Sequence, residues 1–199
     1  MSRKSAFITG LALIAAVLTV VGLYLCRTRP PAEVKQVDLE NREGLLYVHN
    51  FKEPYTGALV ETFPNGKPKL RIDIRRGKVD GLSRGWYENG QLEVQETFVA
   101  GTSHGPRTRW FANGQERSEE KIEHGVVTGP YVAWHESGQK AVEMTLRNGQ
   151  PDGLALAWFP NGALKSETRF VDGKMQDRKF LPASPATATD AKLLLEATR

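Results

Sequence analysis

A 24-residue period runs through the chain from Gly57 onward with no insertion or deletion. Its opening glycines are Gly57, Gly81, Gly105, Gly129 and Gly153. Its middle glycines are Gly66, Gly90, Gly114, Gly138 and Gly162, and its late glycines are Gly77, Gly101, Gly125, Gly149 and Gly173. Five units on a fixed beat of this length mean a stacked array of one supersecondary element. The array accounts for residues 57–176, so the chain reads as one elongated repeat domain with flanking segments.

The element is a hairpin. The middle glycine follows asparagine in four units, Asn65, Asn89, Asn113 and Asn161, and serine in the fourth, Ser137. Asn-Gly between two apolar-containing runs predicts a two-residue type I′ turn with positive φ at both positions. That turn pairs Tyr87 with Leu92, Gly85 with Val94 and Gly81 with Phe98. Trp86 then faces the other way, with Glu93, Gln95 and Thr97. A longer loop would invert those faces. Three columns follow from the spacing: Trp86, Trp110, Trp134 and Trp158, with Thr62 in the first unit; Phe63, Tyr87, Phe111 and Phe159, with His135 in the fourth; and Ile74, Phe98, Ile122, Leu146 and Phe170. Aligned ladders of this kind bury aromatic area that one hairpin cannot bury alone. The expected fold class is all-β: an elongated antiparallel array of five stacked hairpin repeats.

The motif G-x-x-x-x-W/F-Y/F-x-N-G-Q, followed by an apolar residue and G-K-x-x-G, resembles the MORN-repeat-variant proteins of bacteria, the group labelled YwqK-type antitoxins. The likeness spans residues 38–173. It includes the entry residues Arg42, Gly44, Leu45 and Tyr47, then Pro54, Tyr55, Thr56 and Gly57, with Tyr55 where the family pattern has Phe. The resemblance implies a hairpin array whose partner is a toxin that it neutralises.

Residues 6–26 carry no charge and are long enough to cross about 30 Å of hydrocarbon as a helix. Arg3 and Lys4 precede the run, and Arg27 and Arg29 follow it. Tyr24, Leu25 and Cys26 are too bulky for a small-x-small cleavage site, so residues 1–29 read as an uncleaved transmembrane anchor, with a cleaved signal segment as the alternative. This predicts a single-pass inner (cytoplasmic) membrane protein with its repeats on the exported side. Residues 30–37, with Pro30-Pro31, read as a stiff linker, and 38–56 as an N-terminal capping half-repeat. Residues 177–199 read as a mostly disordered tail with a short helix possible near its end.

Charge is uneven. The first unit holds Lys67, Lys69, Arg71, Arg75, Arg76 and Lys78 against Glu61, Asp73 and Asp80, while the second holds Arg84 against Glu88, Glu93 and Glu96. Beside an anchor, the six basic residues are a candidate contact for anionic lipid. They are not sustained along the array, which argues against nucleic acid. The single cysteine, Cys26, excludes a disulfide. His49, His104, His124 and His135 lack second ligands at metal spacing. Glu119 and Glu120 are strand neighbours that face opposite ways, which is wrong for paired acid–base work. No phosphate loop, dinucleotide fingerprint or nucleophile elbow occurs. These observations predict no enzyme, no metal and no cofactor. The expected function is a membrane-tethered scaffold that binds a protein, either a toxin or an envelope component, with Trp86, Trp110, Trp134, Trp158, Tyr87 and Phe111 as candidate contacts. The alternative is an envelope glycan- or lipid-binding module that uses the aromatic columns.

Overall fold

The computed structural model describes residues 32–181. The strands are β1 (Glu33–Val34), β2 (Leu39–Arg42), β3 (Leu45–Val48), β4 (Gly57–Thr62), β5 (Pro68–Arg75), β6 (Lys78–Trp86), β7 (Leu92–Val99), β8 (Thr102–Trp110), β9 (Glu116–Glu123), β10 (Val126–Trp134), β11 (Lys140–Arg147), β12 (Gln150–Pro151), β13 (Gly153–Trp158), β14 (Leu164–Val171) and β15 (Lys174–Phe180). Strands β4 to β11 and then β13 to β15 follow one another in a single sheet in chain order, the short β12 pairs with β11 beside that path, and β1 adds to its first edge in parallel. The five hairpins therefore lie side by side in one mixed sheet, each hydrogen-bonded to the next. β1 occupies part of the expected linker, and β15 continues past the expected end of the array.

Two expectations are corrected. The N-terminal transmembrane helix is not part of the fold described: among the described residues no helix is long and apolar enough to cross a membrane. Residues 6–26, on which the anchor rested, lie outside the described residues. The single-pass membrane location and the exported side lose their support with it.

The Asn-Gly turns also differ from expectation: they are longer than two residues, and the two-residue turns lie at the late glycines instead. At the Asn-Gly end, Gly90 N–H donates to the Tyr87 carbonyl at 2.9 Å and Tyr87 N–H donates to the Gln91 carbonyl at 2.9 Å. Only Gly90 has positive φ there (97°); Asn89 does not. This is a type I turn followed by a left-handed glycine. Asn89 serves it through its side chain, with Oδ1 accepting from Gln91 N–H at 2.9 Å. The late turns are the two-residue ones. Arg76 and Gly77 both have positive φ, as do Ala100 with Gly101, His124 with Gly125, Asn148 with Gly149 and Asp172 with Gly173. The longer Asn-Gly loop sets Trp86, not Tyr87, opposite Leu92, across a bulge. Gly85 still faces Val94 and Gly81 still faces Phe98.

Neighbouring hairpins meet through a repeated bulge. Pairs Glu96–Arg107 and Phe98–Ser103 enclose Thr97 on one strand but His104, Gly105 and Pro106 on the other. Lys121 likewise stands against Thr128, Gly129 and Pro130. Gly105 takes φ 110° in this bulge. The bulge is also what lets Pro106 and Pro130 sit in central strands, where a missing N–H would otherwise break the ladder.

Among the described residues, only the first unit has a two-layer core. The β2–β3 hairpin packs Val48 and Leu46 over Leu59, Leu70, Ile72 and Ile74. Tyr55 is fully buried beneath it, and its hydroxyl donates to the carbonyls of Ala32 at 3.0 Å and Ala58 at 3.1 Å. The Tyr55 hydroxyl therefore ties the residue before β1 to β4.

Candidate partner-binding surface

Pairing and strand alternation give the sheet two distinct faces. On one, every opening glycine stands opposite a member of the late apolar column: Gly57 and Ile74, Gly81 and Phe98, Gly105 and Ile122, Gly129 and Leu146, Gly153 and Phe170. Ile74 is buried beneath the β2–β3 cap, and Ile122 is buried although no second layer of the described residues lies over it. On the other face, Trp86, Trp110, Trp134 and Trp158 end β6, β8, β10 and β13. Adjacent strands are about 4.8 Å apart, so equivalent residues recur about every 10 Å across the sheet.

All four tryptophans are half-buried, and so are Tyr87 and Phe111. The Lys140 ammonium lies 5.4 Å from the Trp158 ring centre. The column beside them alternates along the array. In odd units a phenylalanine carries a cation: Lys69 lies 5.9 Å from the Phe63 ring, Arg117 5.8 Å from Phe111 and Lys165 5.6 Å from Phe159. In even units the ring has a polar tip that reaches the next unit. Tyr87 Oη donates to the Trp110 carbonyl at 2.9 Å, and His135 Nε2 is 2.9 Å from the Trp158 carbonyl. His135 thus stands in for tyrosine rather than for phenylalanine. Glu93 and Ala141 occupy the even-unit positions where the odd units place their cations.

The six basic residues of the first unit do not form one patch. Lys67 Nζ donates to the Asn89 carbonyl at 2.9 Å, at the Asn-Gly end. Arg71 pairs with Glu33 and, at 3.8 Å, with Asp73. Burying little, it still has its guanidinium pKa raised, chiefly by the Glu33 hydrogen bond. Arg75, Arg76 and Lys78 lie at the opposite end of β5, roughly 26 Å away for eight residues of strand. There they line a shallow depression with Asp80 and Ala100.

The array's largest departure from its own pattern is a charged cluster on the glycine face, in the middle of the sheet. Glu96 and Glu120 occupy positions that are Ile72 and Met144 in other units; Arg107 stands opposite both, and Arg109 lies two residues along β8, opposite Val94 and Ser118. Arg107 pairs with Glu96 and, at 3.2 Å, with Glu120; Arg109 also pairs with Glu120. The Glu120 side chain is only 7 % exposed. Burial pushes the Glu96 carboxyl up, but hydrogen bonds from Arg107 and Ser103 outweigh it and hold it below the ordinary carboxylate range. Arg107 Nε is buried and finds no partner among the described residues. Glu119, next along the strand, is exposed. Sequence reading placed these glutamates on opposite faces but missed the arginines. The available signal was a pair of opposite charges at two column positions that are uncharged in most other units.

On the tryptophan face, a groove of about 400 Å³ crosses β9. Pro106 and Pro130 wall it, Val132 extends it, and Glu119 and Lys121 line its floor. Both prolines are there because the inter-hairpin bulge admits them. Among the described residues no three His, Cys, Asp or Glu side chains are grouped to hold a metal. His104 and His124 meet edge-on at 5.2 Å, and His104 Nδ1 faces the His124 N–H at 3.4 Å. Thr56 and Asp152 hold the equivalent place under the turns at Arg76 and Asp172, so His104 acts as a turn acceptor.

A sheet of like hairpins joined edge to edge, a single layer past the first unit among the described residues, is a repeat scaffold. Two of its stretches, residues 79–100 and 151–172, match the MORN repeat variant. They frame the same part of the unit, three periods apart. No curated protein matches the chain.

Proposed function

We propose that the chain is a binding scaffold for a protein partner, engaged through the tryptophan face of the central units. The observation that carries this is the single layer. Past the first unit nothing among the described residues covers either face, while side chains recur on them every 10 Å or so. Protein domains ordinarily bury sheet faces against a second layer. Regular open faces of this kind are what other repeat proteins use for extended contacts. The Pro106–Pro130 groove gives that face a shaped centre, and Glu119 and Lys121 give it polar anchors. Neutralisation of a toxin is the finer form of this reading, supported only by the motif resemblance.

The test is co-purification of the full chain from its native cell, beside a Glu119→Lys/Lys121→Glu variant. The expected result is a protein held by the wild type and released by the variant, with both giving the same circular dichroism. No protein held above the level of an unrelated all-β control would contradict the reading. If the held protein kills cells on expression, and co-expression of this chain rescues them, the neutralising form stands; otherwise that form falls.

A further inference from the structure

We propose that β15 is an acceptor edge for an extended acidic segment of a protein partner, which adds to the sheet as its next strand. This rests on the scaffold reading above and names a second surface for it. The two ends of the sheet are unlike. At the first edge β4 is covered by β1 and closed by the Tyr55 hydroxyl. At the last edge β15 pairs, among the described residues, only with β14, and all seven of its residues are exposed. Half of its backbone groups therefore point away from the sheet with no described strand to meet them.

The side chains say what would fit. The register sets Met175 opposite Phe170, Arg178 opposite Thr168 and Phe180 opposite Ser166, on the glycine face. Lys174, Asp177 and Lys179 fall on the other face. Met175 is 56 % exposed and Phe180 68 %, with the Arg178 guanidinium 5.5 Å from the Phe180 ring. An incoming strand would meet apolar and aromatic surface on one face and mainly lysine on the other. The strand carries three basic residues against one acidic. A second copy of β15 would bring like charge against like. Residues 182–199 balance Asp190 and Glu196 with Lys192 and Arg199, so this chain's own tail offers no charge complement. An alternating apolar–acidic segment matches both faces, and strand addition of this kind takes its affinity from backbone hydrogen bonds and its selectivity from alternate side chains. Edge lysines commonly guard against aggregation; here the charges that refuse a second copy select the acidic strand.

The experiment uses the full chain and two labelled probes, a short peptide of alternating valine and glutamate and its valine–lysine counterpart. Fluorescence anisotropy should show the glutamate probe binding at least tenfold tighter. Amide exchange should slow at alternate residues of β15 when it binds. A Lys174→Gln/Lys179→Gln variant should bring the two probes to within about twofold. Equal affinity of the wild type for both probes, slowing confined to other strands, or β15 amides already protected in the free protein would overturn the proposal. A native partner still held by the Lys174→Gln/Lys179→Gln variant and lost from the groove variant would leave the scaffold reading standing without this edge.

Discussion

Ala100 is the least comfortable residue in the array. It holds φ 50° at the first place of a two-residue turn, where its neighbours in the column include Asn148 and Asp172. A left-handed conformation costs an ordinary L-residue about 1–2 kcal/mol, and asparagine, aspartate and glycine less. Ala100→Gly should therefore raise unfolding stability by about 0.5–1 kcal/mol in urea titration. Asn148→Ala should lower it by a similar amount. Gly57 is the opposite case. A Cβ there would clash with Tyr55 Oη, so Gly57→Ala must displace the fully buried Tyr55 ring under the cap. Tyr55→Phe keeps the ring and should cost about 1–2 kcal/mol, the hydrogen bonds to Ala32 and Ala58. Glu96 makes a pH prediction. Its folded carboxyl is held below the ordinary value, so its contribution is fully present above the unfolded pKa, about 4.3. It is lost as pH falls through the depressed folded value. The stability gap between wild type and Glu96→Gln should thus be present at neutral pH and shrink progressively below about pH 4. A gap independent of pH would sink this account of the cluster.

At the scale of the element, the Asn-Gly turns do two jobs. Asn113 Oδ1 accepts from Gln115 N–H at 3.0 Å within its own turn, and Asn113 Nδ2 donates to the Glu136 carbonyl at 3.0 Å in the next. Asn89 makes the same pair of bonds, with Gln91 and Ala112. Asn113→Ala should lose about 1–2 kcal/mol, and Ser137→Asn should gain a fraction of that, both read from the urea midpoint. The hairpin, its length and the pairs Gly85–Val94 and Gly81–Phe98 were legible in the sequence, because apolar spacing and glycine spacing agree. The turn types were not. Asn-Gly suits a type I′ turn by conformation and a type I turn with a following glycine by hydrogen bonding, and the dipeptide alone does not choose. The late turns hid their nature because Arg76, Ala100 and His124 are poor advertisements for positive φ. The charged cluster hid for a different reason: Arg107 and Arg109 stand 13 and 11 positions before Glu120 in the chain and meet it only once β8 and β9 pair.

At the scale of the whole molecule, stability should run downhill along the sheet. The first unit has a covering hairpin and a shared apolar cluster; the last has an exposed strand. Amide exchange should therefore be slowest in β4 and β5 and fastest in β15, with the central units between, since protection follows local burial. Uniform protection would mean that the array opens as one unit. The central claim is that successive hairpins pair edge to edge in chain order, which is what aligns the columns and makes a scaffold. Nuclear Overhauser contacts across the hairpin boundaries test it most directly. The account predicts cross-strand contacts between Gln95 and Thr108, and between Glu119 and Val132. Their absence, or contacts joining hairpins that are not consecutive, would contradict it.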